Sequence, residues 1–496
     1  FFQAEDGILD LVRSRGLGDV YKRQALYSIF FFSVLMGACE PKTEEFAPSR
    51  GEADFYHYVA LGNSLTSGYA DGALYKSAQA MSYPAILSEQ LKKVGGGNFT
   101  QPVVDNEDGL FAGKLFLDYS LDCNGEFSLS PVISSGNPIG YPLAIRPVGY
   151  SVDNFGVPGA KVAHLIFPGY GNPQRLQQNP PTANPYFVRF ASDTGTSVLA
   201  DAMKQNPTFF TLWIGNNDVL GYATSGGENN TADESITLEG NFHFAYETLI
   251  NTLTSNGAKG ALANIPDITS IPFFNTVPTM GLYLDENSAS SLNQAYHQVE
   301  IFIQSLGYPD FGYGFQFKTG YNAFIIEDRN FPYQVPKALR VRQAKPDELI
   351  LFTIPQDSLK CGGMGSYNIE KQRPYGIPQQ FVLDEEEIAQ IQNAVKRYNA
   401  IINELAIQKN LALVDVANLL QQAKSGITYD GLNFDIKYIS GGIFSLDGIH
   451  LTPQGAAIVA NYFIEAINKQ YKASIPKTEI TQYPGIKYPE TIPLKK

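Results

Sequence analysis

Residues 58–69, YVALGNSLTSGY, decide the fold and point to the chemistry. An apolar run ends at Gly62, and Ser64 follows within a short stretch of small polar residues. This pattern is typical of a strand that ends in a tight turn at the carboxyl edge of a sheet, where a rigid backbone presents a serine nucleophile near a helix N-terminus. Taken alone, a serine that only caps the next helix is the simpler interpretation.

Three further segments carry the residue types that a serine hydrolase needs. They read NFGVPGAK over residues 154–161, TFFTLWIGNND over 208–218 and SLDGIHLT over 445–452. In this order and spacing, the four segments resemble the conserved blocks of the SGNH, or GDSL-type, esterase and lipase family. The resemblance spans roughly residues 55–471, although only the four short blocks carry it strongly.

The alternation of apolar runs and helical patterns predicts an α/β fold. Apolar runs typical of buried strands end at Gly62 and near Val152, and others cover residues 208–214, 261–265 and 411–416. Predicted helices cover residues 80–94, 197–204, 242–253 and 384–408, and a last one begins at Thr452 and Pro453. Strands separated by helices imply a parallel sheet covered on both faces, with the site at the strands' carboxyl ends. The resemblance implies a three-layer α/β/α sandwich of about five strands, the flavodoxin-like SGNH hydrolase fold.

One hydrolase domain is expected over residues 55–473. Residues 95–147 and 267–380 interrupt it as two long insertions, the first rich in turn-forming residues and the second rich in aromatic residues and proline. Residues 474–496 contain four prolines and no periodicity, which predicts a C-terminal tail on the surface.

The N-terminus carries features of processing and export. Residues 1–24 resemble translated sequencing-adapter read-through, and we treat them as an artefact. Residues 25–39 form an apolar run too short to span a bilayer, ending in M-G-A-C, which resembles a bacterial lipobox with Met36 in place of the usual Leu. We therefore expect a signal peptide, lipidation of Cys39, a charged tether over 40–54, and a lipoprotein of the cell envelope, at the outer membrane or cell surface. An ordinary secretory signal with an incidental cysteine is the alternative.

Composition excludes several classes of partner. The chain has 36 basic and 49 acidic residues and a net charge of −13, which argues against nucleic acid or anionic lipid as the main partner. The N-terminal lipid is the one membrane contact expected, and we expect a monomer. With 3 cysteines and no C-x-x-C, a cysteine-based zinc site is improbable, and we expect no metal or cofactor. Whether Cys123 and Cys361 form a disulfide after export is left open.

The residue types suggest a division of catalytic roles. Ser64 is the expected nucleophile, His450 the base, and Asp447, three residues before His450, the group that orients it. The resemblance further assigns an oxyanion hole to the backbone N–H groups of Ser64 and Gly159 and the side-chain amide of Asn217. One departure from the family pattern is Asn63, where Asp is usual; an amide keeps the oxygen acceptor and loses the charge.

Two rival functions were weighed. The G-N-N-D element resembles part of a metallophosphoesterase motif, but the D-x-H and G-H-x-H elements that would supply further metal ligands are missing from the sequence. A surface lipoprotein that binds glycans or lipids without catalysis is the other. The favoured hypothesis is a carboxylester hydrolase acting on acyl esters of lipids, and deacetylation of polysaccharides is the close alternative. Apolar residues over 269–283 are candidates to shape an acyl pocket, or simply to pack the second insertion.

Overall fold

The structure is a computed structural model that describes residues 47–140 and 147–490. The predicted artefact, signal peptide and lipidated Cys39, together with residues 40–46 of the charged tether, lie outside the described residues. The account below concerns the compact unit Pro48–Lys496.

Five parallel strands form the central sheet and confirm the predicted α/β fold class. The strands are β1 (Tyr58–Gly62), β2 (Asn154–Gly156), β3 (Phe209–Trp213), β4 (Lys259–Ala263) and β5 (Ala412–Val414). They lie side by side in the order β5-β4-β3-β1-β2. Every residue of β1 and β3 is buried, whichever face it points to. Such strands must be covered on both sides, which is why they read as continuous apolar runs.

Helices cover the sheet and alternate with its strands. The longer ones are Tyr83–Lys92, Val198–Lys204, Glu239–Leu253, Glu385–Gln408 and Pro453–Tyr471. Tyr83–Lys92 packs on Pro453–Tyr471, whereas Glu239–Leu253 packs with Glu385–Gln408 and with the short helix Val162–Ile166. Within residues 47–140 and 147–490, no helix combines the length and the apolar character needed to cross a bilayer.

Two of the helices begin with side-chain caps. The Asp384 carboxylate accepts a hydrogen bond from the Glu387 N–H, and the Glu387 carboxylate accepts one from the Asp384 N–H, as in a capping box. Thr452 caps the last helix by accepting from the Gly455 N–H at 3.0 Å, and Pro453 occupies the first turn.

Two element boundaries were predicted wrongly. The second strand does not end near Val152; it begins at Asn154, the first residue that pairs with β1, opposite Ala60. Val152 is buried as well, so burial alone did not mark this boundary. The helix predicted over 242–253 starts one turn earlier, at Glu239, and ends at Leu253 as predicted.

The two terminal segments of the domain are held in place. Ile475 and Ile480 are buried, and the buried Asn461 accepts a hydrogen bond from the Thr478 N–H, so residues 475–480 are packed into the protein. Residues 481–490 are exposed or partly exposed, as expected for a surface tail. At the other end, Ser49 exchanges backbone hydrogen bonds with Ser474, which attaches the last residues of the predicted tether to the domain, although all of them except Ala53 are exposed.

The two predicted insertions contain structure of their own. The first carries an antiparallel hairpin, Leu115–Leu121 with Phe127–Ile133. The second carries the 20-residue helix Glu286–Ser305, which was not predicted. It also holds short strand pairs: Leu282–Leu284 with Gly320–Asn322, Ile325–Glu327 with Val341–Gln343, Leu349–Ile350 with Val382–Leu383, and Ser366–Asn368 with Arg373–Tyr375.

A disulfide joins the insertions. Cys123, in the hairpin turn, is bonded to Cys361, just after the short helix Gln356–Lys360, with a Cα–Cα distance of 6.3 Å. The remaining short helices are Ser64–Ser67, Lys76–Ala80, Pro185–Val188, Asn217–Thr224, Pro272–Asn275 and Val416–Ala423, and a last strand pair joins Ile427–Tyr429 to Leu432–Phe434.

Candidate active site

Ser64 stands at the carboxyl end of β1, as the first residue of the short helix Ser64–Ser67. Asn63 caps this helix: its Oδ1 accepts a hydrogen bond from the Leu65 N–H at 3.0 Å. Gly62 is required because a Cβ there would lie 2.1 Å from Thr66 Oγ1. The amide at position 63 thus performs the capping that an Asp would perform, and the turn that presents Ser64 forms with Asn.

Hydrogen bonds link Ser64 to His450 and His450 to Asp447. His450 Nε2 is 2.8 Å from Ser64 Oγ, and His450 Nδ1 is 2.8 Å from Asp447 Oδ2. A carboxylate can only accept, so Nδ1 carries the proton and Nε2 is left to accept from the serine hydroxyl. These contacts bring together three residues that the sequence predicted as partners across 386 positions.

The Asp447 carboxylate is held in its ionised form. Burial opposes ionisation, but His450 and the backbone N–H groups of His450 and Ile449 outweigh it and hold the pKa of Asp447 well below its usual range. Both N–H groups donate to Oδ1, at 2.8 and 2.9 Å. A fixed anion at this point keeps the imidazole oriented and favours its protonated form when it takes up a proton.

Besides the Ser64 N–H, the predicted oxyanion donors are Gly159, in the loop after β2, and Asn217, the first residue of the helix Asn217–Thr224. Gly159 is exposed, has a φ of +79°, and its N–H has no acceptor among the described residues. Asn217 donates one amide hydrogen to the carbonyl of Ala160 at 2.9 Å and lines the same cavity as Ser64. The Asn217 side chain therefore also ties the loop of Gly159 to the end of β3.

Two buried polar groups hold the Gly159 loop. Asn184 Nδ2 donates to the carbonyl of Pro158 at 2.8 Å, and Asp218 Oδ2 accepts from the Val162 N–H at 3.0 Å. Burial raises the pKa of Asp218 to about 6, with Lys161 nearby opposing the rise. Its other oxygen, Oδ1, is buried without a hydrogen-bond partner in the described part of the chain. The sequence placed Asp218 in the motif but gave it no function.

An apolar cavity opens beside Ser64 and His450. It has about 740 Å³ of empty space, part of it open to solvent. Besides Ser64, His450 and Asn217, its walls include Leu220, Ile268, Ile271, Val416, Leu419, Leu420, Ala423, Ile443, Phe444, Ile458 and Val459. Of the residues proposed from sequence over 269–283, Ile271 reaches the cavity, whereas Phe273 and Phe274 are buried in the core beside it. Most of the wall comes instead from the helix Val416–Ala423 and from the residues around His450.

His164 lies outside the wall of the cavity and bonds within its own segment. His164 Nδ1 accepts from the Lys161 N–H at 3.1 Å, and burial lowers the pKa of this histidine. Over the two described ranges, no three His, Cys, Asp or Glu side chains come together in a group able to hold a metal ion.

Comparison with known proteins gives one match. A family model described as GDSL-like Lipase/Acylhydrolase matches residues 58–463, which include all four segments discussed above. No curated protein and no solved structure matches the chain.

Proposed function

Because the chain belongs to the GDSL-like lipase/acylhydrolase family, and is therefore an esterase- or lipase-type hydrolase, we propose that it cleaves carboxylic esters through Ser64, His450 and Asp447. We further propose that its substrates are acyl esters of lipids. The observation that carries the proposal is the pair of 2.8 Å contacts that link the Ser64 hydroxyl to His450 and His450 to Asp447, at the mouth of an apolar cavity.

The reaction follows from these contacts. Ser64 Oγ attacks the ester carbonyl carbon while His450 Nε2 takes the hydroxyl proton, and the resulting oxyanion is stabilised by the N–H groups of Ser64 and Gly159 and the amide of Asn217. The tetrahedral intermediate collapses, the bond to the alcohol oxygen breaks, and His450 gives its proton to the leaving alcohol. Water then attacks the acyl-enzyme with His450 again as base, which releases the acid and restores Ser64.

The cavity wall supports the choice of lipid-type acyl chains. An acetyl group would leave aliphatic side chains such as Leu420, Ala423 and Val459 without contact, whereas an acyl chain would cover them. Each methylene that moves from water to such a wall contributes about 0.8 kcal/mol, or about fourfold in kcat/KM. The acyl-chain dependence of the rate therefore reports directly on the cavity.

The N-terminal features extend the proposal to location. We propose that Cys39 is lipidated and anchors the enzyme in the cell envelope. Metabolic labelling with a fatty-acid probe, compared between the chain and Cys39→Ser, tests this separately from the chemistry. Label that persists in Cys39→Ser would rule it out.

The test of the reaction is an acyl series with matched variants. Residues 40–496 are assayed with p-nitrophenyl acetate, butyrate and octanoate, beside Ser64→Ala and Ser88→Ala. Ser88 is also a buried serine, but its hydroxyl donates to the carbonyl of Ala85 and it lies outside the cavity wall. We expect activity that disappears in Ser64→Ala, persists in Ser88→Ala and rises from acetate to octanoate.

Each alternative has its own outcome. A flat series with acetylated polysaccharide as the best substrate would replace lipid esters by carbohydrate acetyl esters. A folded wild-type protein without turnover, or equal turnover in Ser64→Ala, would discard the assigned residues and favour a binding protein.

A further inference from the structure

The turn that follows Ser64 is attached to the loop that carries Asp447. Ala70 and Ala73 exchange backbone hydrogen bonds, at 3.1 and 3.0 Å, around the central pair Asp71 and Gly72. Both central residues have positive φ, +51° and +75°. Asp-Gly is a preferred pair for such a turn, but a non-glycine residue in the left-handed region is uncommon, and its presence often marks a functional constraint.

Three hydrogen bonds cross from this turn to residues 445–447. The Gly72 N–H donates to Asp447 Oδ2 at 2.8 Å, the same oxygen that faces His450. Asp71 Oδ1 accepts from the Leu446 N–H at 2.9 Å, and the Asp71 N–H donates to Ser445 Oγ at 3.0 Å. Ser445 Oγ in turn donates to Asp447 Oδ1 at 3.1 Å, so the network reaches both oxygens of the carboxylate.

The Asp71 side chain is itself fixed from a third side. Tyr75 donates its hydroxyl to Asp71 Oδ2 at 2.6 Å, so both carboxylate oxygens are engaged. The Asp71 carbonyl accepts from the Leu115 N–H, which attaches the base of the hairpin to the same turn. Asp71 is absent from the wall of the acyl cavity.

We propose that Asp71 is a positioning residue that sets the orientation of Asp447, and through it of His450, without contacting the substrate. The inference rests on the proposed function, because orientation matters only if Asp447 and His450 act on Ser64. In the positive-φ conformation, the Asp71 carboxylate faces the Leu446 N–H, and the N–H of the next residue, Gly72, donates to Asp447. Loss of the carboxylate leaves the N–H of Leu446, the residue before Asp447, without this hydrogen-bond acceptor.

The variants are chosen to separate positioning from general destabilisation. Asp71→Gly removes the carboxylate and accepts positive φ without strain, and Asp71→Asn keeps an oxygen for Leu446 in a residue that tolerates this φ. Asp430→Gly is the matched control: Asp430 also has a φ of +50°, and its Oδ2 accepts a hydrogen bond from the Ile480 N–H at 2.6 Å and none from residues 445–447 in the described part of the chain.

The readouts are kcat and KM for p-nitrophenyl butyrate, with a melting curve for each protein. We expect Asp71→Gly to lose about tenfold in kcat, the usual worth of a hydrogen bond to a charged group, with KM within about twofold because the cavity is unchanged. Asp71→Asn should stay within about threefold of wild type, and Asp430→Gly should lower the melting temperature without changing kcat.

The outcomes are distinguishable. Equal kcat in wild type and a folded Asp71→Gly, or an equal loss in Asp430→Gly, overturns the inference while leaving the proposed function intact. A wild type whose turnover survives Ser64→Ala overturns the proposed function instead. If Asp71→Gly does not fold, Tyr75→Phe removes the hydroxyl that holds Asp71 Oδ2 and leaves every hydrogen bond to Asp447 in place. A kcat that falls severalfold at constant KM in Tyr75→Phe supports the inference, and an unchanged kcat refutes it.

Discussion

Replacement of Asp218 by Asn should stabilise the protein at neutral pH. Asp218 is fully buried at the start of the helix Asn217–Thr224, with one oxygen bonded to the Val162 N–H and the other without a partner in the described part of the chain. A carboxylate in this position has lost its hydration and recovers only part of it. Asn offers the same acceptor to Val162 without a charge.

The magnitude follows from the pKa of Asp218. Burial raises it from 3.8 to about 6. A raised carboxyl pKa means that the folded state binds the proton more tightly than the unfolded state, so this group's contribution to stability is largest below about pH 4 and falls as the pH rises to 6. Two pKa units correspond to about 3 kcal/mol. Above pH 6, wild type should therefore carry a penalty of about 3 kcal/mol that Asp218→Asn lacks.

The assay is chemical denaturation of wild type and Asp218→Asn at pH 4 and pH 7. All other titrating groups are common to both proteins, so the change in their stability difference between the two pH values isolates Asp218. We expect Asn to gain about 2.4 kcal/mol relative to wild type on going from pH 4 to pH 7, because a small part of the penalty is already present at pH 4. Asp201→Asn serves as the control, because the Asp201 carboxylate is also buried but accepts hydrogen bonds from Ser192 and pairs with Lys204 at 3.0 Å, so we expect its replacement to destabilise the protein. A stability difference between Asp218→Asn and wild type that does not change with pH would refute the reasoning.

Three further changes test the site and the insertions. Asn217→Ala should lower kcat for p-nitrophenyl butyrate about 100-fold, since one oxyanion donor is worth about 3 kcal/mol; a loss confined to KM would contradict that role. Ala423→Leu places added volume in the cavity wall and should reduce turnover of octanoate while sparing acetate, and parallel losses on both esters would show that acyl chains bind elsewhere. Replacing Cys123 and Cys361 by Ser should cost about 2–4 kcal/mol of unfolding free energy, seen as a lower melting temperature under non-reducing conditions; an unchanged melting temperature would mean that the bridged insertions open before the core does.

The parts of the protein that were predictable depend on neighbours in the sequence. Gly62 and Ser64 lie together in one strand–turn unit, and Asp447 and His450 in one loop, so local spacing was enough to pair their roles. The capping box of Asp384 and Glu387 is local in the same sense. The central sheet was predictable because buried parallel strands are apolar along their whole length and therefore stand out in the sequence as continuous apolar runs.

The parts that were missed depend on contacts between distant residues. Asp71 meets the acid loop across 375 positions, and nothing near Asp71 in the sequence identifies its partners. The sequence suggested residues 269–283 as the wall of the acyl cavity, whereas the helix Val416–Ala423 supplies much of that wall. The helix Glu286–Ser305 did have a signal, since Ala289, Leu292, Tyr296, Val299 and Ile303 recur at helical spacing and are buried. The aromatic and proline-rich composition around it obscured that pattern.

The disulfide divides the chain into a covalent ring and two arms. The ring formed by residues 123–361 contains Gly159 and Asn217, whereas Ser64 lies on the arm before it, and Asp447 and His450 lie on the arm after it. A protease that cuts once anywhere inside the ring, for example in the exposed residues near Gln178, releases no fragment, because both pieces stay joined through Cys123 and Cys361. A cut between Ser64 and Cys123 breaks the covalent link of the serine to the ring, and a cut between Cys361 and Asp447 does the same for the acid and base. A single proteolytic cut outside a cell therefore has different consequences along the sequence, and it is least able to release a fragment from the segment that holds Gly159 and Asn217.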